Sequence, residues 1–355
     1  MRAICRIAIW LSGMVIAALL PSLTALNANA ASFDCAKATS AEEKAICADS
    51  ELSALDERLA ADYGEALSKL SPESQKVFRE GQKEWIKFLR AACKPTRQDL
   101  KGFPTCIKNA YEARREDFTN PFQIIGPFKF LRLVRYAFAP VLEQTNQAAG
   151  CGRESVGYFG GGYISAAFLR IDSSKTPATT KWNDLMTDEA VYGIALRGNS
   201  LKKVDPCLDL YVKAEVIGAS RNVISTYFYN EDFCHDCANH SISRDGRVLN
   251  TLLDSRKSVR EYDVFNPETA WVEFLTCRAK EKLNKKQKTD DEFSEDVIRE
   301  GVEDPHRWGL TPQGLKIFFN LYDLDGPKWV LKDVTFSWAE LQPYLRKPLP
   351  FQLPQ

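Results

Sequence analysis

Apolar residues recur every three or four positions through the first part of the chain, and this spacing predicts helices. Ser40-Ala-Glu-Glu43 has the form of a capping box, which indicates a helix start. A second helix is predicted from about Glu51, and Ser71-Pro72 marks its end and the start of a third, which runs to Cys93. A last helix is predicted around residues 105–118. The second helix shows the period most clearly, at Leu52, Leu55, Leu59, Tyr63, Leu67 and Leu70.

The pattern changes at Asn120-Pro121, after which β-branched and aromatic residues become frequent. Strands are predicted over residues 163–171, 209–218, 223–230, 315–324 and 334–338. Residues 268–287 have helical periodicity, and a short closing helix is predicted over residues 339–345. These elements predict an α+β protein: a small helical bundle stapled by disulfides, followed by an antiparallel-sheet domain with one long packed helix.

The N-terminus has the features of a secretory signal peptide over residues 1–30. Arg2 and Arg6 precede an apolar run over residues 7–20, and Ala28-Asn-Ala30 fits a signal peptidase site. The run is shorter than the roughly 20 residues of a membrane span, so an uncleaved anchor is the less favoured alternative. No lipid-attachment cysteine follows it. We expect a periplasmic or secreted protein with no transmembrane span after cleavage.

Charge and cysteine content fit an exported binding protein. The chain has 47 basic and 47 acidic residues, and without Arg2 and Arg6 the balance is 45 to 47, which gives no basic excess for nucleic acid. Removing Cys5 from ten cysteines leaves nine, an odd number, so one is free or pairs between chains. The others should form disulfides in an oxidising compartment.

Four cysteines bracket the predicted helices, and four cysteines allow three pairings. We favour Cys35 with Cys47 and Cys93 with Cys106, because each pair closes a short loop at a helix end. Such disulfides stabilise a small bundle by about 2–4 kcal/mol each.

The spacing of this first unit resembles the LprI-type N-terminal domain, and we place that domain at residues 32–120. The resemblance implies an envelope protein that inhibits lysozyme. The step from Trp85 to Arg90 is one residue longer than the commonest form of the motif. The matching positions are Cys35, Glu43, Ile46, Cys47, Leu52, Leu55, Asp56, Leu59, Tyr63, Gln82, Trp85, Arg90, Cys93, Cys106, Tyr111 and Arg114 or Arg115.

The second unit, residues 121–355, resembles the C-terminal domain of RsiV-type lysozyme-sensing anti-sigma factors. A predicted hairpin, a loop and a long helix precede the segment LTPQGLKIFFNLYDLDG at residues 310–326. Within the loop, only His240 keeps its place in the family pattern. This resemblance also implies a protein that binds lysozyme.

The loop FCHDCANHS, residues 233–241, is open to three interpretations. A zinc site would need Cys234 and Cys237 with two of His235, His240 and a carboxylate, but the second half of this spacing is too compressed for a finger. A redox pair usually opens a helix, whereas this one follows a strand, so a disulfide-exchange enzyme is the weakest reading. A structural disulfide is favoured. It joins Cys234 to Cys237, or joins each to one of Cys151, Cys207 and Cys277.

No catalytic or cofactor motif is present, so the sequence predicts a protein that is not an enzyme and has neither cofactor nor metal. Residues 290–304 hold eight acidic residues and one Arg, which would attract a basic lysozyme or a related muramidase. A solvated acidic loop explains them as well. A peptidoglycan- or partner-enzyme-binding structural module is the alternative function. The candidate binding residues are His240, Asp290, Asp291, Glu292, Glu295 and Asp296.

Overall fold

The computed structural model describes residues 31–95, 102–140, 161–173, 176–195, 198–234, 242–255, 257–285, 293–322 and 329–354. The predicted signal peptide at residues 1–30 lies outside these residues. Among the helices in the described ranges, none is long and apolar enough to cross a membrane.

Four helices form the N-terminal bundle, as the periodicity predicted. They are α1 (Ala41–Ala48), α2 (Ser50–Ser68), α3 (Pro72–Ala92) and α4 (Gly102–Thr119). The predicted capping box is present: the Ser40 hydroxyl accepts from the Glu43 N–H, and the Glu43 carboxylate accepts from the Ser40 N–H at 3.0 Å. Ser71 caps α3 in a similar way, and Pro72 occupies the first turn. Helices α1 and α3 therefore begin where a side chain satisfies a free N–H group.

A six-stranded sheet follows the bundle, and its strands lie in sequence order. The strands are β1 (Phe122–Ile125), β2 (Phe128–Pro140), β3 (Gly161–Ile171), β4 (Leu208–Ala219), β5 (Val223–Cys234) and β6 (Ile242–Leu252). All neighbouring pairs are antiparallel except β3 and β4, which are parallel. Helix α5 (Pro177–Ala195) connects these two strands, as a parallel pair requires a crossover. The alternation of residues predicted neither the parallel pair nor α5.

The C-terminal part adds helices and a second sheet. It contains α6 (Glu261–Val264), α7 (Trp271–Asn284), α8 (Glu295–Glu303), β7 (Trp308–Thr311), β8 (Gly314–Tyr322), β9 (Trp329–Phe336) and α9 (Trp338–Leu341). Strands β7, β8 and β9 form an antiparallel sheet, and the predicted long helix is α7. Gly314 has φ of +150°, and a Cβ there would lie 1.9 Å from the Phe336 carbonyl oxygen. Only glycine therefore fits this turn between β7 and β8.

The bundle and the six-stranded sheet share one hydrophobic core. Leu131 of β2 and Tyr163 of β3 are buried in the same cluster as Trp85 and Ile107 of the bundle. At the start of α3, the Ser71 hydroxyl donates to Asp172 beyond β3 at 2.5 Å. The bundle is therefore packed onto the sheet over a continuous apolar surface. A domain boundary near residue 120 stays a prediction.

Candidate functional site

Both favoured disulfides are present in the bundle. Cys35 and Cys47 have their sulfurs 2.01 Å apart, and Cys93 and Cys106 have theirs 1.97 Å apart. The first disulfide joins the turn before α1 to the end of α1, and the second joins the end of α3 to α4. They fix the ends of three helices, which confirms the structural role predicted for these cysteines.

Asp56 and Tyr111, two of the motif positions, form a buried hydrogen bond between α2 and α4. The Tyr111 hydroxyl donates to one Asp56 oxygen at 3.1 Å, and the Ser32 N–H donates to the other at 2.6 Å. Burial raises the pKa of Tyr111 well above its ordinary value, and the adjacent Asp56 charge raises it further. The ring of Trp85 packs edge-on against Tyr111 at 5.2 Å. The Asp56–Tyr111 hydrogen bond and the Trp85–Tyr111 ring contact together hold α2, α3 and α4 against one another.

A second polar network joins the bundle to the sheet through Arg114. This side chain is 3% exposed and donates to the Gln82 amide oxygen at 3.1 Å, to Asp117 at 3.2 Å and to the Val134 carbonyl at 3.2 Å. The hydroxyl of Tyr136 on β2 also donates to Asp117, at 2.6 Å. Burial raises the pKa of Asp117, while the positive charge of Arg114 acts in the opposite direction.

Arg114, and not Arg115, is the internal arginine of the motif. Arg115 pairs with Asp62 at 2.8 Å, and about a third of each of these two side chains is exposed. Most other motif positions, among them Ile46, Leu52, Leu55 and Leu59, are buried in the core. Most motif residues therefore build the interior of the bundle, whereas Arg90 is exposed and pairs with Glu42 at the surface.

A cleft lies where α4 crosses the sheet. It consists of two adjoining cavities of about 540 and 280 Å³, which share Glu116 of α4 and Arg132 of β2 in their walls. The larger cavity is lined by aromatic rings of Tyr136, Tyr163 and Tyr211. The walls come from both the bundle and the sheet, so the cleft is a composite site that neither part forms alone.

The cleft was not predicted from the sequence. Its acidic residues on α4, Glu112 and Glu116, are exposed and have the spacing of an ordinary solvated helix face. Nothing in their sequence pattern shows that strands β3 and β4 lie opposite them. No sequence signal for the cleft exists because its shape depends on how strands β3 and β4 are arranged opposite α4.

Two of the three predicted cysteines of the second unit that the structure describes are disulfide-bonded. Cys234 is disulfide-bonded, which supports a structural role and not a zinc ligand, and Cys207 is disulfide-bonded as well. Cys237 lies outside the described residues. Cys277 is free and exposed. Across the described ranges, no cluster of three or more His, Cys, Asp and Glu side chains has the geometry of a metal site.

Only part of the predicted acidic surface can be placed. Glu295 and Asp296 are exposed in the first turn of α8, where negative charge stabilises the N-terminus of the helix. Neither residue is among those that line the two cavities. His240, Asp290, Asp291 and Glu292 lie outside the described residues.

The helical bundle with its two disulfides belongs to the class of LprI-like domains. The family model described as "Lysozyme inhibitor LprI" matches residues 35–119, which is about a quarter of the chain. These residues span the first disulfide to the end of α4. No curated protein matches the chain.

Two solved structures are similar to part of this chain. One is a DUF3298 family protein from Pseudomonas aeruginosa PAO1, at 13% identity and a TM-score of 0.42, with 64% of this chain and 98% of that chain covered. The other is a member of the DUF3298 family from Bacteroides fragilis NCTC 9343, at 12% identity and a TM-score of 0.37, with 63% and 96% covered. The resemblance of residues 121–355 to the RsiV type stays a prediction.

Proposed function

We propose that this protein is exported to the cell envelope and binds and inhibits lysozyme or a related muramidase without catalysing a reaction. The observation that carries the proposal is the match of residues 35–119 to the lysozyme-inhibitor family, with both disulfides formed. Disulfides persist in oxidising compartments, which fits a periplasmic or extracellular location.

The charge of the exposed surface supports such a partner. Animal-type lysozymes are strongly basic, and Glu295 and Asp296 present carboxylates to solvent at the start of α8. Opposite charges on two surfaces raise the rate of encounter, and salt screens this effect. Inhibition would follow if the bound protein covered the substrate cleft of the muramidase.

The test uses the full mature chain, because the bundle shares its core with the sheet. Binding to hen-type lysozyme is measured by calorimetry at low and moderate salt, together with lysis of cell walls. We expect binding that weakens with salt and lysis that slows as the protein is added. Absence of both binding and inhibition would refute the proposal. Retention on purified peptidoglycan without lysozyme binding would favour the alternative, a peptidoglycan-binding module.

A pair of charge variants tests the α8 surface. Glu295→Gln with Asp296→Asn removes two negative charges at that helix start, and we expect about tenfold weaker binding at low salt. Glu57→Gln with Glu268→Gln removes the same charge at two exposed positions elsewhere and serves as the matched control. Equal weakening by both pairs would show that net charge alone matters and would exclude the α8 turn as a contact surface.

A further inference from the structure

Strands β3 and β4 are neighbours along only a short part of their length. Their parallel pairing covers Ile164–Ala166 of β3 and Leu210–Val212 of β4. Beyond these residues β3 runs on to Ile171 and β4 to Ala219, and in the described part of the sheet each then pairs only with its outer neighbour. The sheet therefore opens between residues 167–170 and residues 213–216, and we call this opening the seam.

The backbone of β3 points hydrogen-bonding groups into the seam. Arg132 of β2 donates its N–H to the Pro121 carbonyl at 2.7 Å, on the side of β1. Its antiparallel partner is Leu169. The N–H and C=O of Leu169 must then point away from β2, and those of Ala167, two residues earlier, point the same way. The edge of β3 thus carries donors and acceptors toward β4.

A side chain of helix α5 satisfies the backbone hydrogen-bonding groups at the end of this β3 edge. Ile171 has the same backbone direction as Leu169, and its N–H donates to the Asn183 side-chain oxygen at 2.6 Å. The Asn183 amide nitrogen donates in turn to the Ile171 carbonyl at 3.3 Å. One side chain therefore replaces a strand at the end of the seam. In the register of the described residues, Ala167 and Leu169 have no strand on this side.

Strand β4 forms the opposite wall of the seam. Five consecutive residues, Val212 to Val216, line the two cavities. Side chains of a strand alternate between its faces, so an unbroken run of lining residues means that the backbone edge itself faces the cavities. By the parallel register, the N–H and C=O of Ala214 and Val216 point toward β3. Both walls are therefore strand edges.

The rim of the seam is negatively charged. Glu112 and Glu116 of α4 and Glu215 of β4 are exposed, and within the described ranges none of them forms an ion pair. The two cations of the walls are already engaged: Arg132 with Asp117 at 3.6 Å, and Lys213 with Glu231 at 3.9 Å. A ligand that carries positive charge would meet carboxylates at the entrance.

We propose that the seam binds an extended, cationic peptide segment of a partner protein as an added strand between β3 and β4. The main chain of the segment would pair with Ala167 and Leu169 on one side and with Ala214 and Val216 on the other. Its Lys or Arg side chains would face the carboxylates of the rim. The free edges are about four residues long, or about 13 Å at 3.3 Å per residue. This site is separate from the α8 surface, and it does not depend on inhibition of lysozyme.

The test measures binding of three synthetic peptides to the full mature chain by fluorescence polarisation. The first is acetyl-Lys-Val-Lys-Val-Lys-Val-amide, the second has Glu in place of Lys, and the third is the Lys peptide with alternate backbone nitrogens methylated. We expect the Lys peptide to bind, the Glu peptide to fail, and the methylated peptide to bind about tenfold more weakly because donors of the added strand are lost.

Protein variants separate the seam from general attraction. Glu116→Gln with Glu215→Gln should weaken binding of the Lys peptide about tenfold, whereas Glu57→Gln with Glu268→Gln should leave it unchanged. The proposal is overturned if the Lys peptide does not bind, if the methylated peptide binds equally well, or if both variant pairs behave alike. Binding of lysozyme is measured in parallel, so failure of one proposal is distinguishable from failure of the other.

Discussion

Phe88 of α3 lies where the bundle meets the sheet, and its removal should destabilise both parts together. Its ring is 4% exposed and its centroid lies 5.0 Å from that of Tyr136 on β2. It also lies 6.5 Å from Phe138 and 6.4 Å from Tyr163 of β3. The ring therefore contacts two strands of the sheet from a helix of the bundle.

The expected cost of Phe88→Ala follows from this burial. Replacing a buried Phe by Ala costs about 3–5 kcal/mol of unfolding free energy, through lost transfer energy and the cavity left behind. Total stabilities of domains are about 5–15 kcal/mol, so the loss is a large fraction. Because β2 belongs to the bundle core and to the sheet, we expect one cooperative transition, shifted as a whole.

The assay is urea unfolding of the mature chain, followed by far-UV circular dichroism and by tryptophan fluorescence. Ile86→Ala is the matched control, since Ile86 lies on the same helix but is 37% exposed. A surface change of this kind should alter stability by less than about 0.5 kcal/mol. The two optical probes should give coincident transitions in all three proteins.

Two results would refute the reasoning about a shared core. In the first, Phe88→Ala and Ile86→Ala have equal midpoints. In the second, the two probes separate into two transitions and only one of them shifts with Phe88→Ala. The first result would mean that the Phe88 ring contributes no more to stability than an exposed side chain, and the second that the bundle and the sheet unfold independently.

Two further predictions concern the bundle. Replacing Cys93 and Cys106 together by Ser should lower the unfolding free energy by about 3 kcal/mol, measured by urea unfolding, because the disulfide closes a loop of about 14 residues; an unchanged midpoint would contradict this. Hydrogen bonds from the Ser40 and Thr39 backbones lower the pKa of Glu43 from 4.5 to about 2. The Glu43 carboxylate therefore adds to the unfolding free energy above pH 4.5, and this gain is lost as the pH falls toward 2. Glu43→Gln should make the unfolding free energy depend less steeply on pH in the acid range, and parallel curves of unfolding free energy against pH for the two proteins would exclude this role.

The sequence predicted the bundle well because its helices carry their signals locally. Caps at Ser40 and Ser71 and an apolar period set the helix starts, and the cysteine spacing indicated the disulfides. Helix α5 was not predicted from the sequence because its buried face includes a small residue, Ala190, among the larger Trp182, Met186 and Ile194. Such a stripe gives a weak amphipathic pattern.

The sheet was harder to predict because burial on two faces removes the alternation of apolar and polar residues. Strand β3 is buried at nine of its eleven positions, which a period of two cannot describe. Strand β2 packs on the bundle, and its length was not indicated by any turn signal. The parallel pairing of β3 with β4 depends on α5, so an analysis that missed the helix also missed the pairing.

The burial of the motif residues indicates which parts of the protein surface can contact a partner protein. The side chains that match the lysozyme-inhibitor family, such as Asp56, Tyr111 and Arg114, satisfy one another or the sheet inside the protein. These positions therefore account for the packing of the bundle, whereas a binding surface must consist of exposed residues, to which Arg90 is the motif position that could contribute. The cleft takes one wall from α4 and another from β4, and a bundle cut at residue 119 would lose the second wall and expose the Phe88 surface. Failure of such a fragment to bind would thus say nothing about the full chain, and only surface variants in the intact protein can distinguish the α8 turn from the seam.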